Sequence, residues 1–142
     1  MATYNKFYAF VENQWISKID WDADVFKVML TNTAPVATNS IKSDLTDISA
    51  VNGYTAGGTA TTISTSRSTG TLTVSGTQVT FTASGGSIGP FQYAVLYDDT
   101  ITSPVKPLVM WADYGTPLTI TDGNSLIVKF NNASPGTIHT VT

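Results

Sequence analysis

The residues QVTFTASGGSIGPFQYAVLYDD, Gln78–Asp99, contain two apolar runs separated by a glycine-rich turn. The first run, Gln78–Ala83, is rich in β-branched residues, which favours a strand. The second run, Phe91–Tyr97, is β-branched and aromatic, and it is apolar on both faces when extended. Asp98 and Asp99 then close it as a turn. The stretch therefore predicts two strands joined by a turn.

Similar runs recur along the chain, with turn signals every 8–12 residues, which is typical of an all-β sandwich or barrel. No helical pattern of 10–15 residues lies between them, so βαβ units are not expected. We predict one domain, residues 1–142, with an all-β fold: an antiparallel β-sandwich, jelly-roll-like, with one short helix. The predicted strands are Val25–Thr31, Ala60–Ser66, Thr71–Ser75, Gln78–Ala83, Phe91–Tyr97, Pro107–Ala112, Leu118–Thr121, Ser125–Phe130 and Thr137–Val141.

The short helix is expected within Asn39–Ser49. Ile41, Leu45 and Ile48 recur there at i, i+4 and i+7, which makes one apolar helical face. In the segment Thr3–Ile16, Phe7, Phe10 and Val11 have helical spacing whereas Tyr8 and Phe10 alternate as in a strand, so a helix and a strand both stay open. From the strand phases we expect a core of Phe26, Val28, Leu30, Phe81, Phe91, Tyr93, Val95, Leu108, Ile127 and Phe130.

Residues 1–24 are unusually aromatic for a chain terminus, which is ordinarily polar and loose. Rings left in water would forfeit up to a few kcal/mol each. We therefore expect this segment to pack on its own sandwich or on a neighbouring subunit. The candidate interface residues are Tyr4, Phe7, Tyr8, Phe10, Trp15 and Trp21.

Composition argues against several classes of protein. The formal net charge is −3, and the seven Lys and Arg residues are scattered. No basic stripe exists, so we expect no direct nucleic-acid binding. No apolar run approaches the roughly 18–20 residues of a membrane span, and the first residues lack a signal-peptide pattern. We expect a soluble protein without membrane contact, folded in a cytoplasm.

Charged residues make up only 12% of the chain, against about 25% in typical proteins. Threonine is instead the commonest residue. A surface of this kind suits a protein that packs against others, but a Thr-rich β protein would have the same composition because Thr favours strands.

One short motif suggests catalysis. Gly85–Gly89 matches G-x-S-x-G, the nucleophile elbow of serine hydrolases, and Asp113 and His139 follow Ser87 in the order those enzymes use. An elbow needs a helix after the serine, and Phe91–Tyr97 favours a strand. We expect Ser87 to lie in a turn and predict no catalytic residues; a small serine hydrolase using Ser87 stays a remote alternative.

We also predict no metal and no cofactor. Asp20–Asp24, DWDAD, resembles the start of an EF-hand loop, but Val25 and Thr31 stand where that loop needs Gly and Glu. His139 is the only histidine, and the chain has no cysteine. A histidine-based metal cluster therefore cannot form within one chain.

Five segments occur in an order that resembles a family of small structural proteins of tailed bacteriophages. They are MATYNKFYAFVEN, VFKVMLTNTAPVATNS, SDLTDISAVNGYTAGG, TFTASGGSIGPFQYAVLYDDT and SPVKPLVMWADYGTPLTITDGNSLIVKF, and together they span nearly the whole chain.

The resemblance implies a capsid decoration, or cement, protein that binds the outer capsid surface and bridges neighbouring capsomers. It implies the major capsid protein and further copies of itself, as a dimer or trimer, as partners. It also implies a place on the virion exterior after synthesis in the host bacterial cytoplasm, and the family has no catalytic residues to carry over. A tail or fibre component that binds host glycans is the alternative.

Overall fold

Antiparallel strands dominate the computed structural model, which describes residues 3–142. One α-helix, α1, lies among these residues, together with a single 3₁₀ turn. In chain order the elements are β1 Thr3–Lys6, α1 Tyr8–Trp15, β2 Phe26–Thr31, the 3₁₀ turn Lys42–Asp44, β3 Thr59–Thr61, β4 Ile63–Ser68, β5 Thr71–Gly76, β6 Val79–Thr82, β7 Ile88–Asp98, β8 Leu108–Ile120, β9 Ser125–Val128 and β10 Gly136–Val141.

The strands form three antiparallel sheets. The largest has the order β1-β8-β7-β2-β3, and the smaller two have the orders β10-β5-β4 and β6-β9. Side chains from two of the sheets, among them Val28, Ala94, Phe81 and Val128, meet in one core cluster. The third sheet packs against this cluster through Ile63 of β4 and Ile138 of β10. The predicted antiparallel β-sandwich with one short helix is confirmed.

The central strand β7 is buried on both faces, as its apolar sequence indicates. Ala94 and Leu96 belong to the main core cluster between the sheets. Val95 and Tyr97 point to the opposite face and pack in a second cluster, which also contains Leu45. This second cluster lets the five-stranded sheet bury apolar side chains on the face that the smaller sheets leave open.

The prediction of a helix within Asn39–Ser49 is wrong. The segment is extended apart from the turn Lys42–Asp44, and Leu45 packs in the second cluster. Asp47 explains the extended shape, because its carboxylate accepts hydrogen bonds from the Tyr54 hydroxyl and the Gly57 amide. These tertiary bonds override the helical spacing of the apolar residues.

The core prediction holds for eight of its ten residues. Phe26, Val28, Leu30, Phe81, Phe91, Val95, Leu108 and Phe130 are all buried. Tyr93 is only half-buried, and Ile127 is 48% exposed. In β9 the inward side chains are Leu126 and Val128, one residue out of phase with the prediction. A shift of one residue moves a strand side chain to the other face, because the side-chain period is two.

Two strand boundaries also differ from expectation. The predicted strand Ala60–Ser66 is two strands, because β3 pairs with β2 whereas β4 pairs with β5. The chain therefore passes from one sheet to another at Thr62. The predicted strands Pro107–Ala112 and Leu118–Thr121 are one strand, β8, which continues through Gly115 at a φ of 82°.

Candidate interaction surface

The N-terminal segment is attached to its own sandwich by strand pairing. β1 adds to the edge of β8, with Thr3 opposite Asp113 and Lys6 opposite Met110. The hydroxyl of Tyr4 donates a hydrogen bond to the backbone carbonyl of Lys129, and burial raises the pKa of Tyr4. The first residues of the described chain are therefore fixed on the body of the protein.

Two of the predicted interface residues are core residues instead. Phe7 is fully buried, and its ring centroid lies 4.5 Å from that of Trp111. Phe10 is 2% exposed and makes edge-to-face contacts with Trp21 and His139, at centroid distances of 5.9 and 5.4 Å. These two rings hold α1 against the protein, and neither is accessible to a partner.

Tyr4 and Trp21 are half-buried. The Trp21 ring stacks on Phe26 with a centroid distance of 4.7 Å and an interplanar angle of 15°. Most of the contact surface of Trp21 is therefore already used within the chain. The interface prediction narrows to the two remaining aromatic residues, Tyr8 and Trp15.

The outer face of α1 carries an exposed apolar stripe. Tyr8 is 68% exposed, Val11 is 40% exposed and Trp15 is 73% exposed. These positions are spaced i, i+3 and i+7, which places them on one side of a helix. We call Tyr8, Val11 and Trp15 the helix patch. The sequence pattern does not single out Val11, because its place on this face is recognisable only once the segment is known to be a helix.

A groove runs beside the helix patch, between α1 and the end of β10. Its lining includes Lys6, Val11, Trp15, His139 and Thr140. Burial lowers the pKa of His139, and the nearby Lys6 ammonium lowers it further. His139 therefore favours its neutral form at neutral pH, which leaves Lys6 as the charged side chain among these five lining residues.

The arrangement suits protein recognition. Tyr and Trp are the residues most enriched at the energetic centres of protein interfaces. A rigid helix presents them without the ordering cost that a flexible segment would add on binding. The helix patch is therefore an exposed apolar surface on a helix that the buried rings of Phe7 and Phe10 hold in place.

The G-x-S-x-G motif lies in a different setting from a nucleophile elbow. Ser87 is exposed at the end of the turn after β6, and β7 begins at the next residue, Ile88. Asp113 accepts hydrogen bonds from the Gln92 side chain and the Gly115 amide. Within residues 3–142, no hydrogen bond joins the Ser87 side chain to Asp113 or His139. The motif forms a strand–turn–strand, as the sequence predicts.

The acidic stretch Asp20–Asp24 closes on itself as a turn. The Asp20 carboxylate accepts hydrogen bonds from the amides of Asp22 and Ala23. The Asp24 carboxylate accepts one from the Asp20 amide at 2.7 Å. No group of three or more potential metal-ligating side chains comes together in the part of the chain that the structure describes.

A buried aspartate that the sequence pattern does not indicate lies beside this turn. Asp98 is fully buried at the end of β7, where one carboxylate oxygen accepts a hydrogen bond from the Thr100 amide. Burial raises the pKa of Asp98 to about 7, and the neighbouring Asp24 carboxyl contributes to the rise. The sequence places Asp98 in an exposed turn, so nothing in it indicates this burial.

Asp99, the next residue, behaves in the opposite way. Its carboxylate lies 2.7 Å from the ammonium groups of both Lys27 and Lys106. Burial alone would raise the pKa of Asp99, but the two lysines outweigh it and the pKa is lowered. Neighbouring aspartates thus have different electrostatic environments because their side chains point to opposite faces of the strand end.

Comparison of the chain with protein-family models, curated proteins and solved structures gives no match. Among residues 3–142, no helix has both the length and the apolar character needed to cross a membrane.

Proposed function

We propose that this protein is a virion structural protein of a tailed bacteriophage that decorates the outer capsid surface. The observation that carries the proposal is the helix patch, in which Tyr8 and Trp15 stay exposed on a helix anchored by buried rings. The series of segments that resembles small phage structural proteins supports the virion assignment. The partners are the major capsid protein and further copies of the chain.

The energetics of the helix patch favour many weak contacts over a single strong one. A fully buried aromatic residue removes about 150–250 Å² from water, so covering the exposed parts of Tyr8 and Trp15 removes roughly 300 Å². At about 25 cal/mol per Å² this gives roughly 7 kcal/mol. Association costs of about 4–15 kcal/mol offset most of that gain. One copy bound through this patch alone is therefore weakly held.

A lattice converts such weak contacts into stable attachment. When one copy touches two capsomers, or two linked copies touch one each, the second contact forms at a high effective concentration. The bridge then holds neighbouring capsomers together and raises the barrier to rupture of the head. The low share of charged residues supports this role, because little charge must be desolvated when the surface is covered.

The test uses tailless, DNA-filled heads that lack this protein. Purified protein is added, heads are sedimented, and bound protein is measured against concentration. We expect the wild type to bind and Trp15→Ser and Tyr8→Ser each to weaken binding by about tenfold or more, because interface Trp and Tyr residues are frequent energetic centres. The control is Val51→Ser, which changes an apolar residue of 47% exposure. Val51 lies away from the patch, because the side chain of the next residue, Asn52, contacts Ser87 just before the start of β7, whereas α1 lies beside the other end of β7.

Two results would overturn the proposal. In the first, the wild type fails to bind heads but binds isolated tails or host glycans, and Trp15→Ser abolishes that binding; this result supports the tail-component alternative. In the second, Val51→Ser weakens head binding as much as the two patch variants, which means that α1 makes no specific contact.

A further inference from the structure

The outer edge of β4 is an unpaired strand edge. β4 is the terminal strand of the sheet β10-β5-β4, and its residues Ser64–Ser68 are all exposed. Within residues 3–142, no other strand pairs with this edge. A free edge presents backbone donors and acceptors in the geometry that another strand would use.

The β4–β5 hairpin determines which backbone groups point outward. Thr69 and Gly70 form its two-residue loop with positive φ values of 44° and 83°, and Ser68 pairs with Thr71 across it. A closing pair next to a two-residue loop exchanges both of its hydrogen bonds. Hydrogen-bonded pairs alternate along the ladder, so Ile63, Thr65 and Arg67 direct their amides and carbonyls away from β5.

This edge lacks the usual protection against pairing. Natural edge strands carry lysines, prolines or bulges that block another strand. β4 contains no proline, its register with β5 is continuous, and Arg67 is its only charged residue. Its remaining exposed residues are serines and a threonine, which add no charge that a second strand must desolvate.

We propose that β4 pairs with β4 of a second copy of this chain, antiparallel and about a two-fold axis at Thr65. This register sets Thr65 opposite its own counterpart and Ile63 opposite Arg67 of the second copy. The outward groups of these three residues then form up to six hydrogen bonds.

The same register also keeps the Arg67 side chains of the two copies apart. The two Arg67 residues lie four positions apart along the paired strands, or about 14 Å at roughly 3.4 Å per residue. No like charges therefore face each other, and a two-fold contact of this kind closes at the dimer. The product is a continuous six-stranded sheet, β10-β5-β4 followed by the same strands of the second copy in reverse order.

The inference deepens the proposed self-association of a decoration protein by naming its surface, and its test in solution needs no capsid. Sedimentation equilibrium is measured over a wide concentration range for the wild type, Thr65→Lys and Thr65→Glu. Each variant places two like charges opposite each other at the two-fold axis, which disfavours pairing. We expect the dissociation constant of the dimer to rise about tenfold or more in each variant.

An equimolar mixture of the two variants tests the register itself. Lys then faces Glu across the axis, so the mixture should recover the wild-type dissociation constant or a lower one. Thr119→Lys, a change at an exposed threonine of β8, is the matched control and should dimerise as the wild type does. Circular dichroism checks that every variant keeps the β fold, since residue 65 is exposed in the monomer.

Three results would overturn the inference: a wild type that stays monomeric at the highest concentration, Thr65→Lys dimerising as well as the wild type, or a mixture that stays monomeric. If the dimer forms as expected but neither wild type nor variants bind heads, the capsid role fails while the pairing stands. If the dimer is absent but heads are still decorated, the pairing fails while the capsid role stands.

Discussion

Replacing Phe7 by alanine tests how the N-terminal segment is held. Phe7 is fully buried in the second cluster, against Trp111 and beside Leu45. Truncation of a buried phenylalanine costs about 3–5 kcal/mol, because transfer energy is lost and a cavity remains. Native domains have only about 5–15 kcal/mol of stability, so the variant should lose a large part of it while keeping the β fold.

Urea unfolding, followed by tryptophan fluorescence, measures the loss. With an m-value of about 2 kcal/mol/M, a loss of about 4 kcal/mol lowers the unfolding midpoint by about 2 M. Tyr8→Ala is the control, since the adjacent ring is 68% exposed and surface changes ordinarily stay within about 0.5 kcal/mol. Equal midpoints for Phe7→Ala and Tyr8→Ala would refute the assignment of one ring to the core and its neighbour to the surface.

Three further predictions concern other parts of the fold. The raised pKa of Asp98, about 7, means that the free energy of unfolding should fall as pH rises from 3.8 to about 7 and then level off. Asp98→Asn should flatten that dependence in urea titrations at a series of pH values, and an unchanged slope would contradict it. Tyr54→Phe should cost about 1–3 kcal/mol in the same assay, because an Asp47 oxygen and a β2 amide lose their partner; a loss below 0.5 kcal/mol would argue against this network. Gly58→Ala should cost roughly 3 kcal/mol or prevent folding, since its Cβ would lie 1.8 Å from a β2 carbonyl oxygen. Gly70→Ala, also at positive φ but with open space around it, should be milder, and equal losses for both would contradict the close approach.

The central strands could be predicted from the sequence because local preference and burial agree there. Val25–Thr31 and Phe91–Tyr97 are β-branched or aromatic runs, and both lie within or beside the strands β2 and β7 at the middle of the sheet. Burial on both faces of β7 is also visible as a run without alternation of polar and apolar residues.

The position of the α-helix could not be predicted from the sequence. The spacing of apolar residues indicates which side chains would share a helical face, but not whether another part of the protein covers that face. Asn39–Ser49 has helical spacing, yet the segment is mostly extended, and Leu45 packs in the second cluster while Ile48 packs against the main one. The segment Tyr8–Trp15 forms the helix although its spacing is mixed. Its helical pattern is obscured because Phe10 points to the core and Tyr8, Val11 and Trp15 point outward, so both sides are apolar.

The candidate interaction surface could be predicted only in part from the sequence. The excess of aromatic residues near the N-terminus indicated that the segment is docked, but composition could not separate the anchors Phe7 and Phe10 from the exposed Tyr8 and Trp15. That distinction depends on the turn from β1 into α1, where adjacent rings leave the backbone in different directions. The buried Asp98 was missed because its burial depends on β7 extending one residue past the apolar run.

Electron cryo-microscopy of the complete virion is the decisive test of the decoration role. We expect repeated β-sandwich density on the outside of the capsid shell, across the boundaries between capsomers, with α1 and its exposed Trp15 facing the shell. Sandwich density confined to the tail or its fibres, or a capsid surface without it, would contradict the proposed function.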